Sequence, residues 1–351
     1  MDDLVNVHDF ERRAAEILDP GVHGYYAGGA GDERTLRDNV AAFSRHRLRP
    51  RVLVDVSAAD AATTVLGRRV SMPVLVAPTA LHRLAHEDGE PGTARAAAAA
   101  GTVFTLSTLA TSRPTECAIA GAPQWFQLYV LKDRGVSAAL LAEAVDCGFE
   151  AIVLTVDAPR AGRRERDFRT RFAVPAGVDM PAVRAATGAP TCPTPQEFFE
   201  LVDTTLTWHA LEELVNESPV PIVVKGIHTA EDALLAAEHG AAAVVVSNHG
   251  GRQLDGVPAS LDMLPEVADA VGDRVEVYVD GGVRRGTDVL VALALGARAV
   301  LIGRPILWGL ACGGEQGVAK VLQLLHEEIE LGLTLLGAPT PEAITPTHLT
   351  R

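Results

Sequence analysis

The sequence predicts an α/β fold of the (β/α)8 class, a TIM barrel with an N-terminal helical extension and a long loop after strand 4. Three observations predict it. Short apolar runs recur eight times along the chain. They are continuous rather than alternating, as befits strands covered on both faces and paired in parallel. Alanine-rich helical stretches separate them, and several close on a glycine. The 351 residues are 48% hydrophobic, with 5% aromatics and a mean hydropathy of +0.15, so the core is large and mostly aliphatic. A chain of this length folds as one α/β barrel as readily as two smaller domains. A single domain over residues 1–351 is therefore expected, with an extension over 1–70 and the barrel over 71–351.

Residues 1–70 precede the first strand, with helices expected over Asp9–Leu18 and Glu33–Arg45. Such a segment caps the barrel bottom or leans over its mouth. The strands follow as Pro73–Ala77, Thr102–Leu106, Trp125–Tyr129, Ala151–Val156, Pro221–Lys225, Ala242–Ser247, Val275–Asp280 and Ala299–Ile302. Helices are expected over Gly92–Ala100, Ser137–Cys147, Ala230–His239 and Arg284–Leu295, the glycine stops being Gly101, Gly148, Gly240 and Gly296. Between strands four and five lie roughly 65 residues, including Phe172–Thr205, rich in Pro, Thr and Ala. That length reads as a structureless lid or a disordered segment. Val318–Leu336 carries apolar residues at helical spacing and reads as a helix packed on the barrel.

Net charge is −14, which disfavours nucleic acid and anionic membranes as partners. Cys117, Cys147, Cys192 and Cys312 are scattered without a Cys-x-x-Cys, so reduced thiols in a cytoplasmic protein fit better than disulfides or zinc. The start Met1-Asp2-Asp3-Leu4 has no signal-peptide character, and no run of about 18 apolar residues suggests a membrane span. His82 and His86 stand four apart near Glu87 and Glu90, but on a post-strand loop, so no metal is expected. His228 and His239 read as helix-boundary residues.

Chemistry in such barrels gathers at the C-terminal strand ends. Each strand here offers small or polar residues at that end. They are Ala77, Thr79 and Ala80; Ser107; Gln127 and Tyr129; Thr155 and Asp157, with Arg163 and Arg164 beyond; Lys225; Ser247, His249 and Arg252; Asp280, Gly282 and Arg284; Gly303 and Arg304. His249 and Arg252 place a base and a fixed cation on one turn, which suits an acidic substrate that loses a proton. Gly281-Gly282 and Gly303-Arg304 lie where barrels bind phosphate through backbone N–H groups, with Arg284 and Arg304 adding charge. Lys225, flanked by apolar residues, is costly there without an anion.

Ser247–Asp255 (SNHGGRQLD), Asp280–Gly286 (DGGVRRG) and Asp157–Asp167 (DAPRAGRRERD) resemble the FMN-dependent α-hydroxy-acid oxidase/dehydrogenase family, which includes glycolate oxidase, lactate oxidase, mandelate dehydrogenase and hydroxymandelate oxidase. The resemblance runs from Tyr25–Ala30 to Gly303–Pro305. It implies an FMN enzyme that oxidises an (S)-2-hydroxy acid to the 2-keto acid, and a homotetramer. It implies His249 as catalytic base, oriented by Asp157. Arg164 and Arg252 would hold the substrate carboxylate with Tyr25, and Tyr129 would bond the substrate oxygen. Lys225 would face the flavin N1–C2=O edge. Ala77, Thr79, Ala80, Ser107, Gln127, Thr155 and Ser247 would surround the isoalloxazine. Asp280, Gly282, Arg284, Gly303 and Arg304 would hold the ribityl phosphate.

The chain departs from the common family pattern at Leu109, where plant glycolate oxidases carry tryptophan, and at Ala161, where leucine is usual. The segment after Arg169 lacks the apolar insertion of membrane-associated members. Leu109 suggests a roomier pocket and favours aryl acids such as mandelate or 4-hydroxymandelate over glycolate and lactate. Dioxygen and another electron acceptor stay open. So do a non-catalytic FMN-binding barrel and an isomerase or aldolase that uses Lys225 as a Schiff-base nucleophile.

Overall fold

The structure, a computed structural model, describes residues 1, 3–188 and 193–350. Cys192 lies outside them. Eight parallel strands close a barrel in sequence order. They are β1 (Val74–Val76), β2 (Phe104–Leu106), β3 (Gln124–Leu128), β4 (Ala151–Thr155), β5 (Ile222–Ile227), β6 (Ala243–Val246), β7 (Glu276–Asp280) and β8 (Ala299–Ile302). β8 returns to β1 through Leu301 opposite Leu75.

Period-two alternation explains why the strands read as unbroken apolar runs. One set of side chains fills the barrel: Leu75, Val103, Trp125, Val153, Val223, Val245, Tyr278 and Leu301. The other set, including Val76, Phe104, Phe126, Leu154, Val224 and Val279, packs outward on the helices. Two residues beyond each inward side chain lies the next inward position. On seven strands that position is Ala77, Gln127, Thr155, Lys225, Ser247, Asp280 or Gly303. The candidate site is thus the layer directly above the apolar filling.

The bottom is closed by a hairpin, Thr63–Val65 with Arg68–Val70. Val65 and Val70 join the barrel filling, and Leu66 N donates to the Glu276 carboxylate at 3.1 and 3.2 Å. The extension therefore does both jobs expected of it. α1 (Val7–Ile17) buries Val7, Phe10 and Ala14 along one face and starts at an Asn6 cap. α2 (Pro20–Ala27) begins with the Asp19 carboxylate accepting from Gly21 N at 2.7 Å and carries Tyr25 and Tyr26 to the mouth. α3 (Arg34–Ser44) lies against the turn after β6.

The helix stops occur as expected: Gly101, Gly148, Gly240 and Gly296 all have φ between 68° and 106°. His239 closes the helix Ala230–Glu238 and stacks on Trp208. The C-terminal helix Arg304–Leu336, broken at Gly313 and Gly314, buries Val318, Val321, Leu325, Ile329 and Leu333.

The connection between β4 and β5 corrects the sequence reading. It is not structureless. It carries helices Glu165–Thr170, Pro181–Thr187, Pro195–Leu201 and Trp208–Glu217. Thr194 and Glu197 form a reciprocal capping box that starts the third of these. Phe198 and Phe199 are buried edge-on against the Tyr129 ring at 5.7 and 5.5 Å. Lys132 N to Leu201 O and Asp203 N to Val130 O tie the segment to the end of β3.

Candidate active site

A cleft at the C-terminal end of the barrel encloses about 1060 Å³, open solvent included. Every residue that the family resemblance assigns to the site lines it except Asp157 and Ser247, which stand directly behind it.

His249 sits on the turn His249–Gly251 with φ of 58°, unusual for a residue with a Cβ. Its Nδ1 lies 2.9 Å from Asp157 Oδ1. A carboxylate can only accept, so Nδ1 carries the proton and Nε2 is left as the free base. Burial lowers the His249 pKa, and Lys225 adds to this, while Asp157 pulls the other way. The ring is therefore neutral at pH 7. Burial alone would raise Asp157, but His249 and Lys225 overcome it and keep the group ionised.

The strained turn is clamped from behind. Asn248 and Asn39 exchange amide hydrogen bonds of 2.7 and 2.8 Å, and both are buried. Ser247 Oγ accepts from His249 N at 3.1 Å and Asn248 N donates to Ser260 Oγ. A Cβ at Gly251 would meet Leu36 N of α3 at 2.6 Å, so only glycine permits this approach.

Lys225 donates to Ser247 Oγ at 2.9 Å and pairs with Asp280 Oδ2 at 3.2 Å. Burial opposes its charge, yet Asp280 and Asp157 raise its pKa above the ordinary lysine value. The ion pair with buried Asp280 favours the ammonium over the free amine that a Schiff-base nucleophile needs.

Four buried or partly buried arginines face the cleft of a chain with net charge −14. Among the described residues, no carboxylate lies within 4 Å of Arg164, Arg252 or Arg304. Arg284 alone has one, Glu11 at 3.5 Å. Arg252 uses Nη1 to hold the Tyr25 and Gly28 carbonyls at 2.6 and 3.0 Å and lies over the Tyr25 ring. Among the described residues its Nε and Nη2 have no hydrogen-bond partner, and the residue lines the cleft. Burial and neighbouring Arg164 push its pKa down to about 10, still cationic at pH 7. Arg304 holds three carbonyls, of Tyr26, Gly28 and Gly250, and keeps two further N–H groups. Arg163 turns away onto Phe168, as expected of the neighbour of Arg164. Tyr129 is buried, and burial with Asp157 keeps its hydroxyl protonated.

The donor set fits FMN. The Gln127 side-chain carbonyl is occupied by Thr108 N and Ser107 Oγ, while its buried Nε2 has no partner among the described residues. Such an orphan donor suits a polar heterocycle. Gly281 and Gly282 have φ of 97° and 92°, and a Cβ on Gly282 would lie 2.0 Å from Asn39 O. Both glycines thus admit the close approach of α3, and Arg284 and Arg304 line the cleft beside them.

The family model for FMN-dependent dehydrogenases matches residues 14–351. The chain belongs to that family. It is 48% identical to the L-lactate oxidase of Nostoc sp. over 98% of each chain, and 48% identical to the glycolate oxidase of Spinacia oleracea over 99% of this chain and 96% of that one. The human 2-hydroxyacid oxidase 1 is 46% identical over 98% and 96%. A solved structure of mandelate oxidase with benzoyl-formic acid superposes with a TM-score of 0.90 at 42% identity, covering 99% and 98%. This member of the FMN-dependent 2-hydroxy-acid oxidase family is therefore an oxidoreductase with FMN as cofactor.

Sequence reasoning missed Asn39, Phe199, Pro195 and Tyr26. The capping box Thr194-Pro195-Gln196-Glu197 was a readable signal for Phe199. Nothing in the sequence pairs Asn39 with Asn248.

Proposed function

We propose that this FMN enzyme oxidises an (S)-2-hydroxy acid to the 2-keto acid, passing the electrons to dioxygen and releasing hydrogen peroxide. One observation carries the reading: the His249–Asp157 pair opens into the same cleft as guanidinium groups that, among the described residues, lack a carboxylate partner. A base and an anion socket side by side define a substrate that is both an acid and a proton donor. FMN supplies the two-electron acceptor when bound. The fork of Arg252, with Arg164 and Tyr25, holds the substrate carboxylate. Tyr129 donates to the substrate oxygen. His249 Nε2 takes the proton and Asp157 stabilises the imidazolium. Lys225 would supply positive charge to the reduced flavin ring, and Ala77, Thr79, Ala80, Ser107, Gln127, Thr155 and Ser247 would form the surrounding wall. Asp280, Gly282, Arg284, Gly303 and Arg304 form the phosphate end.

Dioxygen as acceptor is supported by relatives that are named oxidases. Aryl acids are favoured because Leu109, Pro195 and Phe199 line the cleft with apolar surface. Among the described residues no helix is long and apolar enough to cross a membrane, and a cytoplasmic setting agrees with the unpaired thiols. A homotetramer follows from the family resemblance, and exposed Val52, Leu53, Leu331 and Leu335 are apolar surface open to self-association. The test is oxygen uptake and peroxide release with glycolate, (S)-lactate, (S)-mandelate and 4-hydroxymandelate. Higher kcat/KM for the aryl acids supports the substrate reading, and a preference for glycolate or lactate overturns it. Turnover only with an artificial acceptor would overturn dioxygen.

A further inference from the structure

We propose that His82 fixes the direction of the hydrogen bond that Thr79 offers to the flavin, making Thr79 an acceptor only. The inference rests on the placement of Thr79 in the flavin wall. His82 is a positioning residue: it is buried behind the cleft, on the turn His82–Leu84 that follows β1, and does not line the cleft.

Its two ring nitrogens each meet a hydroxyl. Nε2 lies 2.6 Å from Thr79 Oγ1, and Nδ1 lies 3.0 Å from Thr93 Oγ1 on the helix Gly89–Ala99. Thr93 Oγ1 also lies 3.2 Å from the Gly89 carbonyl. That last contact sets the direction of the whole chain. A carbonyl only accepts, so this contact is a hydrogen bond only when the one hydrogen of the Thr93 hydroxyl goes to Gly89. The Thr93 oxygen must then accept from His82, which puts the ring proton on Nδ1. A neutral imidazole has a single N–H, so Nε2 is an acceptor. It takes the hydrogen of Thr79. Three hydrogens fill three contacts. In the opposite tautomer the Thr93–Gly89 contact has no hydrogen, and the Thr79 hydrogen turns into the cleft.

The environment keeps the ring neutral. Burial lowers its pKa, and the opposing pull of Glu90 and of the Thr79 carbonyl does not offset this. Glu90 is itself saturated, accepting from His82 N, from Thr111 N and Oγ1, and from Ser112 Oγ. The consequence is chemical selection. With its hydrogen held from behind, Thr79 shows the cleft only lone pairs. It matches an N–H of the isoalloxazine and mismatches a ring carbonyl or an unprotonated ring nitrogen.

Two measurements on the FMN holoenzyme test this. Neutron diffraction from deuterium-exchanged crystals should show deuterium on His82 Nδ1, none on Nε2, and the Thr79 hydroxyl deuterium aimed at Nε2. FMN dissociation constants should show Thr79→Val and His82→Phe each weakened about five-fold, the scale of one neutral hydrogen bond. The double variant should bind no worse than Thr79→Val alone. His82→Gln, whose carbonyl can accept the same hydrogen, should stay within about two-fold of wild type. Deuterium on Nε2, or a His82→Phe loss that persists in full on the Thr79→Val background, would overturn the proposal. Should His82→Phe fail to fold, the neutron map and His82→Gln still decide. A Thr79→Val variant that binds FMN like wild type would instead overturn the placement of Thr79 in the flavin wall, a separate failure.

Discussion

Arg252→Lys keeps the charge and removes the geometry. Arg252 is assigned two jobs at once: Nη1 tethers the Tyr25 and Gly28 carbonyls, and Nε and Nη2, which have no partner among the described residues, are left for the substrate carboxylate. A lysine ammonium cannot reach in both directions. If it turns to the substrate it keeps one bond to the carboxylate and loses the other, at about 1.5–3 kcal/mol. A carbonyl tether is lost as well, at about 1 kcal/mol. The combined loss, roughly 2.5–4 kcal/mol, corresponds to a fall in kcat/KM of about 10²–10³-fold. FMN affinity should change little, because Arg304 still holds the Tyr26 and Gly28 carbonyls. Anaerobic stopped-flow, following the flavin absorbance against substrate concentration, separates the two effects. A variant that saturates like wild type would refute the assignment of Arg252 to the substrate carboxylate.

Four further outcomes are expected. His249→Ala should retain FMN but reduce it about 10²–10⁴-fold more slowly, the usual scale of a general base; wild-type reduction rates would end that assignment. The pH profile of kcat/KM should fall on the acid side with a midpoint below 6.5, because His249 must be neutral to accept a proton and its pKa lies below that value. Asp157 raises that pKa, so Asp157→Asn should move the limb to still lower pH while lowering the plateau; a shift toward alkaline pH would contradict the pairing. Arg304→Ala and Arg284→Ala should each weaken FMN by about 1.5–3 kcal/mol, measured by fluorescence titration, and unchanged affinity in both would place the phosphate elsewhere.

The barrel was legible because burial on both strand faces leaves an unmistakable sequence pattern. Trp125 and Phe126 point to opposite faces, yet both are apolar because one fills the barrel and the other meets a helix. The same rule made the site legible: a Lys225 or Asp280 that continues the inward register of Val223 or Tyr278 must stand above the filling. What escaped was pairing between distant segments. Asn39 and Asn248 are 209 residues apart and joined only by the closure of α3 on the β6 turn. His82 reads as a loop histidine until Thr93 is brought beneath it. The segment 172–205 misled for another reason. Its helices are short, and their proline starts read as breakers, whereas proline in the first turn of a helix costs nothing.

The most direct test of the central claim uses the yellow holoenzyme under anaerobic conditions. It is mixed with (S)-mandelate, and separately with the methyl ester of the same acid, while the flavin absorbance is followed. The expected result is rapid bleaching by the free acid and bleaching at least about 10²-fold slower by the ester, which offers no carboxylate to the arginine fork. Equal rates with acid and ester, or no bleaching by any 2-hydroxy acid, would contradict the assignment of this cleft.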